Sequence, residues 1–178
     1  MTGSKAARRY ARALIGLSQD SAQLERWATD LQSLARATTE PEVAALLASP
    51  ALAPQSRTQA MDRIAERLGV GFPVRSFVAV VTQHGRAGEF EEISQAYQQM
   101  LDEHLGRTRA TLTFAREPDD AQVKMLVERL AAIAGKTIIP TVKVDAGLLG
   151  GVTTELEGRI YDGSLSTQLA EAKKRLSG

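Results

Sequence analysis

Residues Val142–Leu169 read VKVDAGLLGGVTTELEGRIYDGSLSTQL and carry the most informative pattern in the chain. Polar and apolar residues alternate before and after a glycine-rich stretch, Gly147–Gly151, with the period of a half-buried strand. The two runs therefore predict two strands that the glycines join as a hairpin. Asp162-Gly163-Ser164 then offers cap residues for a final helix.

Two glycine-containing segments resemble phosphate-binding loops, but neither has the full pattern. The dinucleotide motif G-x-G-x-x-G, placed on Gly147, needs glycine where the chain has Leu149, and it needs a helix afterwards. Gly135-Lys136-Thr137 matches the end of a Walker A loop, whose first glycine would fall on Leu130. A small nucleotide-binding enzyme that uses the glycine turns near Gly135 or Gly147 is therefore kept as the alternative hypothesis.

The preceding residues complete a small predicted domain over 106–178. Threonine and apolar residues alternate at 111–114, which indicates a strand. Asp119 and Gln122 have the spacing of a helix cap. Pro140 interrupts the next apolar run and favours an edge strand or a bulge. With the final helix, the predicted order of elements is β-α-β-β-α.

Residues 1–105 show the apolar period of six helices with short joints, which predicts an antiparallel six-helix bundle. Thr39 and Glu42 have the spacing of a capping box for the third helix. The fifth helix has almost no polar face and ends near Gly85, so it is expected to be buried in the bundle or against a partner. The chain is thus predicted to be an α+β protein of two domains.

The composition bounds the function. The 178 residues include no cysteine, which excludes disulfides and most zinc sites. There are 11 Lys and Arg against 12 Asp and Glu up to Leu105, and 11 against 9 after it. Neither part has the basic excess of a nucleic-acid binder, so a third hypothesis, an RNA-binding adaptor, lacks its basic patch. No catalytic, metal or cofactor site is predicted, and no apolar run could span a bilayer.

The N-terminal segment admits two interpretations. It is rich in arginine and has no acidic residue before Asp20, as in an organelle transit peptide. Tyr10, Ala13, Leu14 and Leu17 nevertheless share one helical face, and another helix follows at once, so we favour a structural helix.

The apolar faces of the first and fifth helices also admit two interpretations. Side by side, they would form a groove for an amphipathic partner helix. The periodicity is equally consistent with a second interpretation, in which both faces only complete the bundle core.

Four segments occur in the order of a known family. They are Arg9-Tyr10-Ala11-Arg12-Ala13-Leu14, Leu52-Ala53-Pro54, Val80-Val81-Thr82-Gln83-His84-Gly85-Arg86, and the strand, glycine, strand and Asp-Gly-Ser pattern of Asp145–Leu165. Together they resemble the delta subunit of F-type ATP synthases, which in mitochondria is called the oligomycin-sensitivity-conferring protein.

The resemblance implies a non-catalytic stator subunit without cofactor, which ties the catalytic head to the peripheral stalk so that rotation is coupled to ATP synthesis and proton translocation. It implies a peripheral location on the cytoplasmic face of a bacterial plasma membrane, without membrane insertion or nucleic acid. Residues 1–105 would bind the head, and 106–178 would contact the stalk.

The resemblance also implies contact residues. The N-terminal helix of an alpha subunit is expected in the groove between the first and fifth helices, and the b subunits of the stalk on the second domain. By position, the head contacts are Tyr10, Ala13, Leu14, Leu17, Phe77, Val80, Val81 and His84. The stalk contacts are Leu148, Leu149, Leu165 and Leu169.

Overall fold

A computed structural model describes residues 4–148, 150–156 and 158–162. Helices and strands are both present, so the predicted α+β class is confirmed. The chain divides into two compact units, and the division falls between Leu105 and Gly106.

The described residues of the first unit form six α-helices. Their bounds are α1 Lys5–Ile15, α2 Ser21–Thr39, α3 Pro41–Ala48, α4 Pro54–Arg67, α5 Val74–Gln83 and α6 Phe90–His104, with a 3-10 turn at Ala87–Glu89 before α6. Side-chain caps begin the first two helices. Ser4 Oγ accepts a hydrogen bond from Ala7 N at 3.1 Å, and Asp20 Oδ1 accepts one from Ala22 N at 3.0 Å.

One apolar core holds this unit together. Its fully buried large side chains come from α1, α2, α4, α5 and α6, and include Leu14, Leu31, Met61, Val78 and Phe90. The Tyr97 hydroxyl is buried with them and donates to Leu24 O at 3.1 Å. Burial raises the pKa of Tyr97, because the charged phenolate would lose its hydration.

The predicted cap of α3 is wrong. Thr39 is the last residue of α2, and its hydroxyl donates to Arg36 O at 2.8 Å. Glu40 takes the cap position of α3 without a side-chain hydrogen bond. Thr39 is still part of α2, so the extended backbone of a cap residue falls one position later, on Glu40. No residue of α3 is fully buried.

The second unit contains a four-stranded sheet and one helix among its described residues. Its elements are β1 Arg107–Phe114, α7 Asp120–Ala134, β2 Thr137–Val144, β3 Val152–Leu156 and β4 Arg159–Asp162. The sheet order is β2-β1-β3-β4. The β1–β2 pair is parallel and is connected through α7, whereas β3 is antiparallel to both β1 and β4. Leu112, Leu130, Ile138 and Leu156 are buried between the sheet and the helix.

The cap predicted for the start of α7 is confirmed. Asp119 Oδ1 accepts from Gln122 N at 2.6 Å, and Gln122 Oε1 accepts from Asp119 N at 3.2 Å, which completes a capping box. Gly135 ends the helix with a positive φ of 64°, a conformation that favours glycine. Pro140 lies on β2, which is an edge strand as predicted.

The predicted hairpin at Gly147–Gly151 is wrong. The strands on either side of it, β2 and β3, do not pair with each other, because β1 lies between them. The glycine-rich segment therefore crosses the end of β1. It starts with a turn in which Asp145 Oδ1 accepts from Gly147 N at 2.8 Å.

A hairpin occurs one step later in the chain. β3 and β4 pair across the two positions 157–158, and Gly158 has a positive φ of 77°. The predicted order of elements does not contain β4. Asp162 belongs to β4, so the described order is β-α-β-β-β. The predicted final helix lies outside the described residues.

Candidate partner-binding surface

Helices α1 and α5 lie side by side, and Tyr10 fills the space between them. Its ring centroid is 6.1 Å from that of Phe77, with an interplanar angle of 78°. It is 6.5 Å from the His84 ring, at 63°. Both are edge-to-face arrangements, which aromatic rings prefer over direct stacking. Tyr10 is 8% exposed, so it joins the two helices beneath their shared surface.

Burial divides the predicted head contacts into two groups. Leu14 and Val81 have no exposed surface, so they belong to the core of the first unit. Leu17 is 63% exposed and Val80 is 45% exposed. Ala13 and His84 are exposed as well, and Phe77 is half-buried. We call Tyr10, Ala13, Leu17, Phe77, Val80 and His84 the α1–α5 surface.

Helical spacing explains why these residues share one surface. Tyr10, Ala13 and Leu17 are three and four positions apart, and so are Phe77, Val80 and His84. Gly85, whose φ is 70°, ends the α5 row just after His84. The His84 ring is held in place, because Nδ1 donates to Val80 O at 2.8 Å. The exposed apolar row therefore has a defined shape before any partner arrives.

The charges around this surface are unequal. Lys5, Arg8, Arg9 and Arg12 all belong to α1, which contains no acidic residue. The Arg9 guanidinium carbon lies 5.6 Å from the Tyr10 ring centroid, within the range of a cation–π contact. The prediction did not single out Arg9. Its position four residues before Ala13 was the available signal, since residues at that spacing share a helical face.

An ion pair fixes α5 against α4. Arg75 Nη2 donates to Asp62 Oδ2 at 2.8 Å, and a second Arg75 nitrogen contacts the other carboxylate oxygen. The hydrogen bonds from Arg75 lower the pKa of Asp62, and those to Asp62 raise the pKa of Arg75. The one charged side chain of α5 is thus neutralised by α4.

The glycine turns do not form phosphate sites. A phosphate loop leads from a strand into a helix N-terminus, where free N–H groups point at the anion. Gly135 instead ends α7 and leads into β2, at the negative end of the helix dipole. Gly147 lies between two strands. Neither segment offers a helix N-terminus, so the nucleotide-binding alternative has no support from the fold.

Metal-ligand clusters and membrane-spanning helices are both absent from the described residues. No group of three or more His, Asp or Glu side chains there is placed to hold a metal ion. In the same part of the chain, no helix is long and apolar enough to cross a membrane.

The predicted stalk contacts can be located only in part. Leu148 is half-buried in the turn after β2, where its N–H donates to Asp145 O at 3.1 Å. Leu149, Leu165 and Leu169 lie outside the described residues. The second unit also exposes large apolar side chains that were not predicted as stalk contacts: Met125, Ile133, Val142, Val144 and Ile160.

The chain is similar to proteins of one family over nearly its full length. Residues 6–176 match the family described as ATP synthase delta (OSCP) subunit. A relative from Pelobacter propionicus, ATP synthase subunit delta, is 32% identical over 177 residues, covering 99% of this chain and 98% of the relative. The protein of the same name from Anaeromyxobacter sp. strain Fw109-5 is 31% identical over 171 residues, covering 96% of each.

A solved structure has the same fold. A chain in the cryo-EM structure of the Toxoplasma gondii mitochondrial ATP synthase hexamer aligns with a TM-score of 0.67. The alignment covers 98% of this chain and 99% of that one, at 17% identity.

Proposed function

Because the chain belongs to the ATP synthase delta (OSCP) subunit family, we propose that it is a non-catalytic stator subunit of an F-type ATP synthase. In this role it ties the catalytic head to the peripheral stalk, so that the head does not turn with the rotor and rotation is coupled to ATP synthesis and proton translocation. The family resemblance inferred from the four sequence segments is confirmed.

The observation that carries the proposal is the exposed apolar row of the α1–α5 surface. Leu17 and Val80 are exposed although their neighbours Leu14 and Val81 are fully buried. An apolar row above a complete core is available to a partner, and an amphipathic helix fits a groove between two helices. We assign this surface to the N-terminal helix of an alpha subunit, as the resemblance implies.

Apolar contacts suit a stator subunit, which must resist torque. Burying one Leu or Val side chain fully contributes about 1.5–3 kcal/mol. A few such contacts along one helix would hold a complex, and they do not weaken with salt as exposed ion pairs do. Buried Leu14 and Val81 contribute to binding indirectly, because they fix the backbone at Ala13 and Val80.

The second unit is proposed to contact the b subunits of the peripheral stalk. The resemblance assigns this contact to Leu148, Leu149, Leu165 and Leu169. Of these, the side chain of Leu148 is described, and it is half-buried at the end of the sheet. We further propose a peripheral location at the cytoplasmic face of a bacterial plasma membrane, as part of the ATP synthase complex.

Calorimetric titration of the full chain with the alpha-subunit N-terminal peptide tests the head contact. We expect a Kd between about 1 nM and 10 µM for the parent chain. Val80→Asp places a charge on the apolar row and should abolish measurable binding. Leu46→Asp puts the same charge on exposed Leu46 of α3 and should leave the Kd unchanged. No heat of binding with the parent chain at either of two temperatures would refute the head contact, because apolar burial changes the heat capacity and the enthalpy cannot be zero at both.

A further inference from the structure

Four exposed residues of α1 and its C-terminal turn form one row that runs into the α1–α5 surface. Lys5, Arg9, Ala13 and Leu17 follow one another at intervals of four, so they lie on the same side of the helix. All four are exposed. The row is cationic over its first half and apolar over its second half.

Arg9 lies at the boundary between these halves. Its guanidinium group is held over the Tyr10 ring, and Tyr10 contacts Phe77 and His84. The Arg9 charge is therefore at the rim of the α1–α5 surface. A helix that covers Ala13 and Val80 would pass beside it.

The positive charge of α1 is not neutralised within the described part of the chain. Lys5, Arg8, Arg9 and Arg12 make no ion pair there. One carboxylate contacts the start of α1, where Glu92 Oε2 of α6 accepts from Ser4 N at 3.0 Å. That contact lies at the end of α1 occupied by Lys5, which is four residues before Arg9.

Two further arginines near this surface are already paired. Arg75 of α5 is bound to Asp62. Arg86, just beyond α5, is bound to Glu89 at 2.6 Å. Among these basic residues, those of α1 are therefore the ones without an ion pair in the described part of the chain.

From this asymmetry we infer that the docking helix carries carboxylates beside its apolar stripe and that Arg9 recognises them. The inference rests on the proposed function, since it describes the partner of the same surface. The apolar stripe covers Leu17 and Val80 and supplies the salt-independent part of the affinity. The carboxylates pair with Arg9, and the charges of Lys5 and Arg12 add to the field that steers the helix to its site.

The charged and the apolar contacts can be distinguished by how the affinity depends on salt. Exposed ion pairs are screened by salt, with a Debye length of about 10 Å at 0.1 M ionic strength, whereas apolar contacts are not. The affinity should fall with salt, and the salt-dependent part should shrink when Arg9 is removed and disappear when the partner's carboxylates are removed.

The experiment uses two peptides and three full-length proteins. The peptides are the alpha-subunit N-terminal segment and a copy in which each Asp and Glu is replaced by Asn and Gln. The proteins are the parent, Arg9→Gln, and Arg36→Gln as a control of equal charge change at exposed Arg36 in the last turn of α2. Kd is measured by anisotropy of labelled peptide from about 20 mM to 500 mM NaCl.

We expect Arg9→Gln to weaken binding of the acidic peptide about twofold to fivefold at low salt and to match the parent at high salt. Arg36→Gln should match the parent throughout. The neutralised peptide should bind the parent and Arg9→Gln alike, because the carboxylate that Arg9 recognises is gone. Circular dichroism of the three proteins should be the same.

Two results would overturn the inference while leaving the proposed function intact. One is a peptide that binds the parent but has no carboxylate beside its apolar stripe. The other is binding that Arg9→Gln does not weaken at low salt. If neither peptide bound the parent at any salt concentration, the proposed head contact itself would fail.

Discussion

At the scale of single residues, Leu14 and Leu17 lie three positions apart and have opposite roles. Leu14 is fully buried and Leu17 is 63% exposed. We expect Leu14→Ala to lower the free energy of unfolding by about 2–5 kcal/mol, through lost burial and the cavity it leaves. Leu17→Ala should change it by about 0.5 kcal/mol or less. Urea unfolding followed by Trp27 fluorescence measures both, because Trp27 is the one tryptophan and lies in the first-unit core.

The same pair of variants separates stability from binding. Leu17→Ala should weaken binding of the alpha-subunit peptide while leaving the free energy of unfolding nearly unchanged. If Leu14→Ala unfolded like the parent, the core described for the first unit would be incorrect at this position.

The ion pair between α4 and α5 predicts a pH dependence of stability. Arg75 holds the pKa of Asp62 below its ordinary value of 3.8 in the folded chain. Folding therefore gains from this carboxylate at pH values above the unfolded pKa, and the gain is lost as pH falls through the lower folded pKa. Asp62→Asn should be less stable than the parent at about pH 7, with the difference shrinking towards about pH 3.

Urea unfolding across this pH range checks the expectation, with Glu66→Gln as the control. Glu66 is 3.5 Å from Arg75, a longer contact than the Asp62 pair, so its loss should have a smaller effect. A stability difference for Asp62→Asn that stays constant down to about pH 3 would contradict the assigned role of the ion pair.

At the scale of elements, the capping box of α7 makes a specific prediction. Asp119→Ala removes the acceptor of the Gln122 N–H and should cost about 0.5–2 kcal/mol of helix stability. Asp120→Ala is the matched control, because Asp120 is in the first turn but has no described role as a cap. Hydrogen exchange at the Gln122 amide should accelerate in Asp119→Ala and not in Asp120→Ala. Equal exchange in both would mean that the cap does not stabilise the helix start.

The ends of helices were more predictable from sequence than the path of the sheet. Asp119 and Gly135 act through neighbours four residues away or closer, so their roles follow from local chemistry. The partner of a strand is chosen by distant residues. β2 and β3 look like a hairpin in sequence, yet both pair with β1, which precedes them by a whole helix. The short β4 was missed for the same reason, since pairing with β3 defines it.

At the scale of the whole molecule, the sequence identified the helices of the candidate site but not which of their residues are accessible. Tyr10, Leu14 and Leu17 share one apolar face. Which of them stays exposed depends on the packing of α6 and α5 against α1 and on where α1 ends. The apolar period of the sequence gives neither the packing of the helices nor the end of α1. Arg9 was overlooked because a charged residue beside an apolar face also fits a plain solvated surface.

The absence of cysteine from the chain allows the head contact to be tested in the assembled ATP synthase. A single cysteine at Ala13 or Val80, labelled with benzophenone maleimide before reassembly, is a unique photo-cross-linking site on this subunit. Leu46→Cys on α3 is the control, since Leu46 is also exposed and lies outside the α1–α5 surface.

Mass spectrometry of the cross-linked peptides then tests the central claim most directly. We predict that Ala13→Cys and Val80→Cys both cross-link to the N-terminal segment of an alpha subunit and that Leu46→Cys does not. Assembled complexes in which neither Ala13→Cys nor Val80→Cys reaches that segment would contradict the assignment of the α1–α5 surface to the catalytic head.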